Sequence, residues 1–191
     1  MRPYIILVFV MVFLAAAGEA RQDKISISGP DGREAQVSRN SEGYFKFVEG
    51  KKNYVLEKDS KGVLTFKEGK KPVAQGSFKG NKLVMKTPKK NVFLSLKTQP
   101  GKIQFRPGSG SEWEFNAKPD NIVVTSNGVE YGRITYYSGK GKIKVKNRMD
   151  NPVVEVTGYS HLCSAPGVYL IDGLKQDSQA FMVLLMFTMG R

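Results

Sequence analysis

From Ala35 to Asp172 apolar and polar residues alternate in blocks of five to nine, separated by Gly, Asn, Asp, Ser, Pro or Lys-Gly. Successive side chains of a β-strand point to opposite faces, so each such block can bury one row and leave the other in water. Phe45 and Phe47 flank Lys46, Leu64 and Phe66 flank Thr65, Leu83 and Met85 flank Val84, and Ile103 and Phe105 flank Gln104. Between the blocks stand Gly50-Lys51-Lys52-Asn53, Asp59-Ser60-Lys61-Gly62, Lys79-Gly80-Asn81, Ser126-Asn127-Gly128 and Gly139-Lys140-Gly141. These residues tolerate the positive φ of hairpin turns. Turns recur about every nine to twelve residues, the mark of an antiparallel sandwich or barrel. Twelve to fourteen candidate strands can be counted, and no convincing 3.6-residue period appears before residue 173.

The end of the chain changes character. Asp172-Gly173 closes the last strand, Asp177 or Ser178 can cap a helix, and Ala180 to Met189 is almost wholly apolar. A helix that is apolar all round is buried on every side. A membrane tail and a lipid-anchor signal are the alternatives. Ten residues are too few to span a bilayer, and the spacer after Gly173 is short for an anchor signal. A core helix over 175–190 is therefore expected. Such a helix needs a cavity lined by apolar side chains, and a closed antiparallel sheet provides one. The expected fold is mainly β: a closed antiparallel barrel of about twelve strands with a buried hydrophobic C-terminal helix.

This layout resembles the tubby C-terminal-like superfamily, which includes the LURP-one-related proteins and the phospholipid scramblases. The residues that carry the resemblance are Val168-Tyr169-Leu170-Ile171-Asp172, as a last strand, and Asp177 to Met186, as the threaded helix. It covers residues from about 35 to 191. It implies the fold alone, because members of that group are mostly intracellular and their phosphoinositide-binding cations have no counterpart here.

The N-terminus has the form of a secretory signal peptide over residues 1–20. Arg2 precedes an unbroken apolar run from Ile5 to Ala17, and Gly18 and Ala20 stand at the −3 and −1 positions of a cut after Ala20. Thirteen helical residues reach roughly 20 Å, short of a bilayer core of about 30 Å. A secreted chain is expected, with 21–34 as an N-terminal extension and 35–191 as one barrel domain. A single Cys excludes an internal disulfide. Cys163 is then a buried small hydrophobe or an intermolecular bridge, and its apolar neighbours favour burial.

Catalysis has little support. The one His, His161, lies two residues from Cys163, so on a strand the two would share a face, but no orienting third group is evident. Ser109-Gly110-Ser111 lacks the strand and helix of a nucleophile elbow. Glu112 and Glu114 are the only close carboxylate pair on one strand face and are expected to offset nearby Lys. Tyr131, Tyr136, Tyr137 and Trp113 are expected to serve packing more than a ligand face. The chain is read as non-enzymatic, and no catalytic residue, metal ligand or cofactor is assigned.

Charge carries the functional expectation. The chain has 30 Lys+Arg against 17 Asp+Glu, a formal net charge of +13. Between Arg39 and Arg148 the net is +15. Lys142, Lys144 and Lys146 form one strand face, Lys82 and Lys86 bracket a second strand, and Lys102 and Arg106 a third; Lys89, Lys90 and Lys140 lie in turns. Such a field attracts polyanions: acidic glycan, anionic lipid or an acidic, even mineralised, extracellular matrix. Nucleic acid is a poor partner for a secreted protein, and Lys suits diffuse attraction better than base reading. The same excess would also serve solubility and edge protection. The second reading is a lipocalin-like carrier of an apolar ligand, against which the mid-chain position of Trp113 counts. The two readings differ in whether the last helix occupies the barrel interior.

Overall fold

The computed structural model describes residues 24–39 and 44–189. The proposed signal segment, residues 1–20, lies outside the described residues. Fourteen strands follow one another: β1 (Lys24–Ser28), β2 (Glu34–Arg39), β3 (Phe45–Glu49), β4 (Lys52–Lys58), β5 (Val63–Glu68), β6 (Lys71–Lys79), β7 (Lys82–Lys86), β8 (Val92–Gln99), β9 (Lys102–Pro107), β10 (Trp113–Ala117), β11 (Asn121–Ser126), β12 (Val129–Tyr137), β13 (Lys142–Asn147) and β14 (Pro152–Thr157). Each pairs antiparallel with the next, and β1 pairs with β14, so the sheet closes without an edge. The barrel is an up-and-down meander, with every connection local except the closure.

Alternation sorts the side chains. Phe47, Tyr54, Phe66, Leu83, Met85, Leu94, Ile134, Ile143, Val145 and Val156 point inward and are fully buried. Lys, Ser, Thr and Gln share the outer face. Hairpins turn on left-handed residues: Gly62, Gly101 and Gly128 have φ of 81°, 69° and 77°, and Lys90 and Asp150 take the same region at 64° without glycine.

Two sequence-based expectations are corrected here. The strand count is fourteen, the upper end of the twelve to fourteen candidates and more than the twelve of the expected barrel, and β1 lies in the segment read as an N-terminal extension. Lys24-Ile25-Ser26-Ile27-Ser28 alternates like the rest, buries Ile25 and Ile27, and fills the gap between β2 and β14. The second correction concerns Val168 to Asp172. This stretch is no strand; Ala165–Leu170 form a buried 3-10 helix, with Pro166 in its first turn. Proline suits that position, since its missing N–H would have had no helical partner. The run has no polar alternation, and every residue from Ala165 to Ile171 is buried, as befits a segment surrounded on all sides.

An eight-strand barrel is just filled by its own side chains, and a wider one encloses space. Here the chain fills that space with itself. After β14 it crosses one end of the barrel, descends as the 3-10 helix, and returns as α1 (Gln176–Thr188). From Ala180 to Phe187 α1 is at most 3% exposed. Phe181 packs edge-on against Phe66 and Phe93, with ring centroids 5.4 and 5.9 Å away. The start of α1 is pinned by polar bonds to β3 and β4. Tyr54 Oη donates to Asp177 Oδ1 at 2.9 Å, and Gln176 Nε2 donates to Glu49 Oε2 at 2.9 Å. Burial and the Asp177 carboxylate together push the Tyr54 phenol well above its usual range.

Candidate functional site: a cationic barrel rim

Because the strands run up and down, the turns fall alternately at two ends. The turns after odd-numbered strands form one rim, called here the odd rim. The turns after even-numbered strands, with the start of β1 and the end of β14, form the even rim.

The ten cations singled out in the sequence divide between the rims. Lys86, Lys89, Lys90, Arg106 and Lys146 lie toward the odd rim. Lys82, Lys102, Lys140 and Lys142 lie toward the even rim, and Lys144 sits midway along β13. Five of the ten are engaged by carboxylates. Lys102 Nζ is 2.7 Å from Glu114, Arg106 is 3.3 Å from Glu112, and Lys146 is 2.6 Å from Asp150. Lys142 and Lys144 share Glu155 at 2.7 and 3.8 Å. The Lys142-Lys144-Lys146 face is therefore largely neutralised, by Glu155 on β14 and by Asp150 in the following turn. These pairs mark the local chemistry. The Lys102 ammonium, then the Gln104 amide, hold the Glu114 carboxyl below its usual range. Lys146 does the same to Asp150.

Neither rim is neutralised throughout: at the odd rim Lys51, Lys70, Lys71, Lys86, Lys89, Lys90 and Arg148 are in no ion pair among the described residues, and the even rim has a set of its own. Lys24, Lys58, Lys61, Lys79, Lys82, Lys97, Lys118 and Lys140 stand there in no ion pair among the described residues. Two of the described carboxylates nearby are engaged by other groups. Glu57 is 2.6 Å from Lys67, and Asp59 Oδ1 accepts the N–H groups of Lys61 and Val63, both at 2.9 Å. Asp120 lies in the β10–β11 turn.

Within this rim the register builds a ladder. Lys79 on β6 lies opposite Lys82 on β7, and Lys82 lies opposite Lys97 on β8. Directly opposed residues are about 4.5–5.5 Å apart at Cα, and like charges so placed repel. The next residue across is Gln104, whose amide is spent on Glu114 at 2.8 Å. Beside the ladder a shallow outer groove of about 170 Å³ is bounded by Lys82, Lys97, Ser95, Gln104, Arg106 and Glu112. Val84 on its floor is 42% exposed.

Sequence reasoning found Lys82 and missed Lys79 and Lys97. The Lys79-Gly80-Asn81-Lys82 hairpin made the first pairing readable. The second depends on the register between β7 and β8, which shifts at Met85/Lys86 and is not visible locally.

The remaining candidates resolve as structure. Trp113 is buried and meets Tyr131 edge-on at 4.7 Å. Lys144 lies over the Tyr137 ring at 5.6 Å. His161 and Cys163 share no strand; they lie in the connection between β14 and the 3-10 helix, His161 exposed and Cys163 buried. Burial pushes the Cys163 thiol up to about 12, so it stays protonated and is no nucleophile near neutral pH. Among the described residues no cluster of three or more His, Cys, Asp or Glu could hold a metal ion, and no helix is long and apolar enough to cross a membrane. Comparison with protein-family models, with curated proteins and with solved structures finds no match to this chain.

Proposed function

We propose that this chain is a secreted, non-enzymatic barrel whose even rim binds a polyanionic surface: acidic glycan, anionic lipid headgroups or acidic extracellular matrix. The observation that carries the reading is the Lys79–Lys82–Lys97 ladder, three like charges in direct register, none of them directly opposite a carboxylate. Such a row costs stability in the free protein. A bound polyanion relieves the repulsion and releases its own counterions. Secretion rests on the signal-like residues 1–20.

The carrier reading has less support, since α1 and the 3-10 helix occupy the barrel interior that a lipocalin-like ligand would need. An affinity with the tubby C-terminal-like group is supported by the internal helix; fourteen strands, against the twelve of that group, weigh against it.

The test is retention of the protein on immobilised heparin and on anionic vesicles across a salt titration. Elution above about 0.15 M salt, with log affinity falling linearly against log salt, supports the proposal. Elution at or below that ionic strength would leave the lysines a solubility role only.

A further inference from the structure

The even rim also carries a cavity. It has a volume of about 530 Å³ and opens where the β8–β9 turn meets the connection after β14. Binding sites for small molecules span roughly 300–1,000 Å³. Ile103, Phe115, Ile122 and Leu162 make its apolar wall, and Thr98, Gln99, Lys102 and Ser164 are its polar members. Ala117, whose N–H donates to the Gly101 carbonyl at 2.7 Å, also lines the cavity, and the exposed Lys118 follows it in the chain. Lys118 has no ion pair, so the pair of lysines keeps a net positive charge although Glu114 engages Lys102. A pocket with an apolar wall, Lys102 in its lining and the unpaired Lys118 next in the chain to a lining residue suits one ligand chemistry: a hydrocarbon chain ending in an anion.

We infer that this cavity binds the alkyl part of a single-chain anionic amphiphile, with the headgroup held by Lys102 and Lys118. The inference rests on the reading of the even rim as an anion-binding surface and names its ligand class.

The experiment uses the full mature protein and displacement of a fluorescent probe, dansylamino-undecanoic acid, by dodecanoate, dodecanol and inorganic phosphate. Dodecanoate displaces the probe, dodecanol does so at least about tenfold more weakly, and phosphate does not, since a charge-assisted contact is worth about one decade in affinity or more. Ala117→Trp places an indole in the cavity at an exposed strand end. It lowers dodecanoate affinity by about tenfold or more, leaving heparin elution and the thermal midpoint unchanged. Lys102→Gln with Lys118→Gln removes the preference for dodecanoate over dodecanol. Equal binding of acid and alcohol, wild-type affinity in Ala117→Trp, or no displacement at all would overturn the inference. Each of these, with salt-dependent heparin retention intact, sinks the cavity assignment alone. Loss of heparin retention with dodecanoate still bound in the cavity sinks the polyanion proposal alone.

Discussion

Gly167 shows how closely the interior is packed. A Cβ there would lie 2.6 Å from Ile134 Cδ1 and 2.7 Å from Phe115 Cε1, in the middle of the 3-10 helix. Those neighbours belong to the β12 and β10 walls. Gly167→Ala is expected to cost about 1–3 kcal/mol, read from the urea midpoint. Cys163 tests the same packing by chemistry: a thiol-specific reagent should leave it unlabelled at mildly alkaline pH in the folded protein and label it in urea. Glu114 supplies a pH dependence. Its carboxyl is more acidic in the folded chain, because of Lys102 and then Gln104. A group shifted that way adds stability above its ordinary range and loses it as the pH falls through the lowered value. The stability deficit of Glu114→Gln should thus be present at neutral pH and shrink below about pH 4. Lys82→Glu turns a repulsive rung into an attractive one on both sides. It should raise stability by about 0.2–1 kcal/mol at low salt while weakening retention on heparin.

At the scale of elements, α1 is what makes a fourteen-strand barrel possible. Without it the inward rows of β3, β4 and β5 would face one another across a void. Phe181 contacts both Phe66 and Phe93, and Phe181→Ala should cost about 3–5 kcal/mol in denaturant unfolding. This helix was legible in the sequence, because an apolar run with no polar face has only one place to go in a β protein. Its expected span, 175–190, compares with Gln176–Thr188 in the structure. The strands from β2 onward were legible from alternation and turn residues. The 3-10 helix was not: Val168, Tyr169 and Ile171 are β-branched or aromatic, and only its burial on all sides distinguishes this stretch from a buried strand. β1 was missed for the opposite reason. Its five residues alternate clearly, but they precede the first long block, and the need for a strand there appears only once β2 and β14 are seen to require a partner.

Across the whole molecule, the decisive feature is which charges are compensated. The basic excess was plain from composition. Its distribution was not, because cross-strand and turn partners set it. Glu155 and Asp150 quench the Lys142-Lys144-Lys146 face, whereas none of Lys79, Lys82 and Lys97 lies directly opposite a carboxylate. The direct test compares two triple substitutions on one heparin column. Changing Lys79, Lys82 and Lys97 to Gln removes three uncompensated charges; changing Lys142, Lys144 and Lys146 to Gln removes three that are already paired. Both lower the net charge equally. If the even-rim ladder is the binding surface, the first variant elutes at clearly lower salt than the second, and its log–log salt slope falls by about 2–3. Equal shifts for the two variants, or a larger shift for the second, would contradict the assignment and leave only a diffuse effect of net charge.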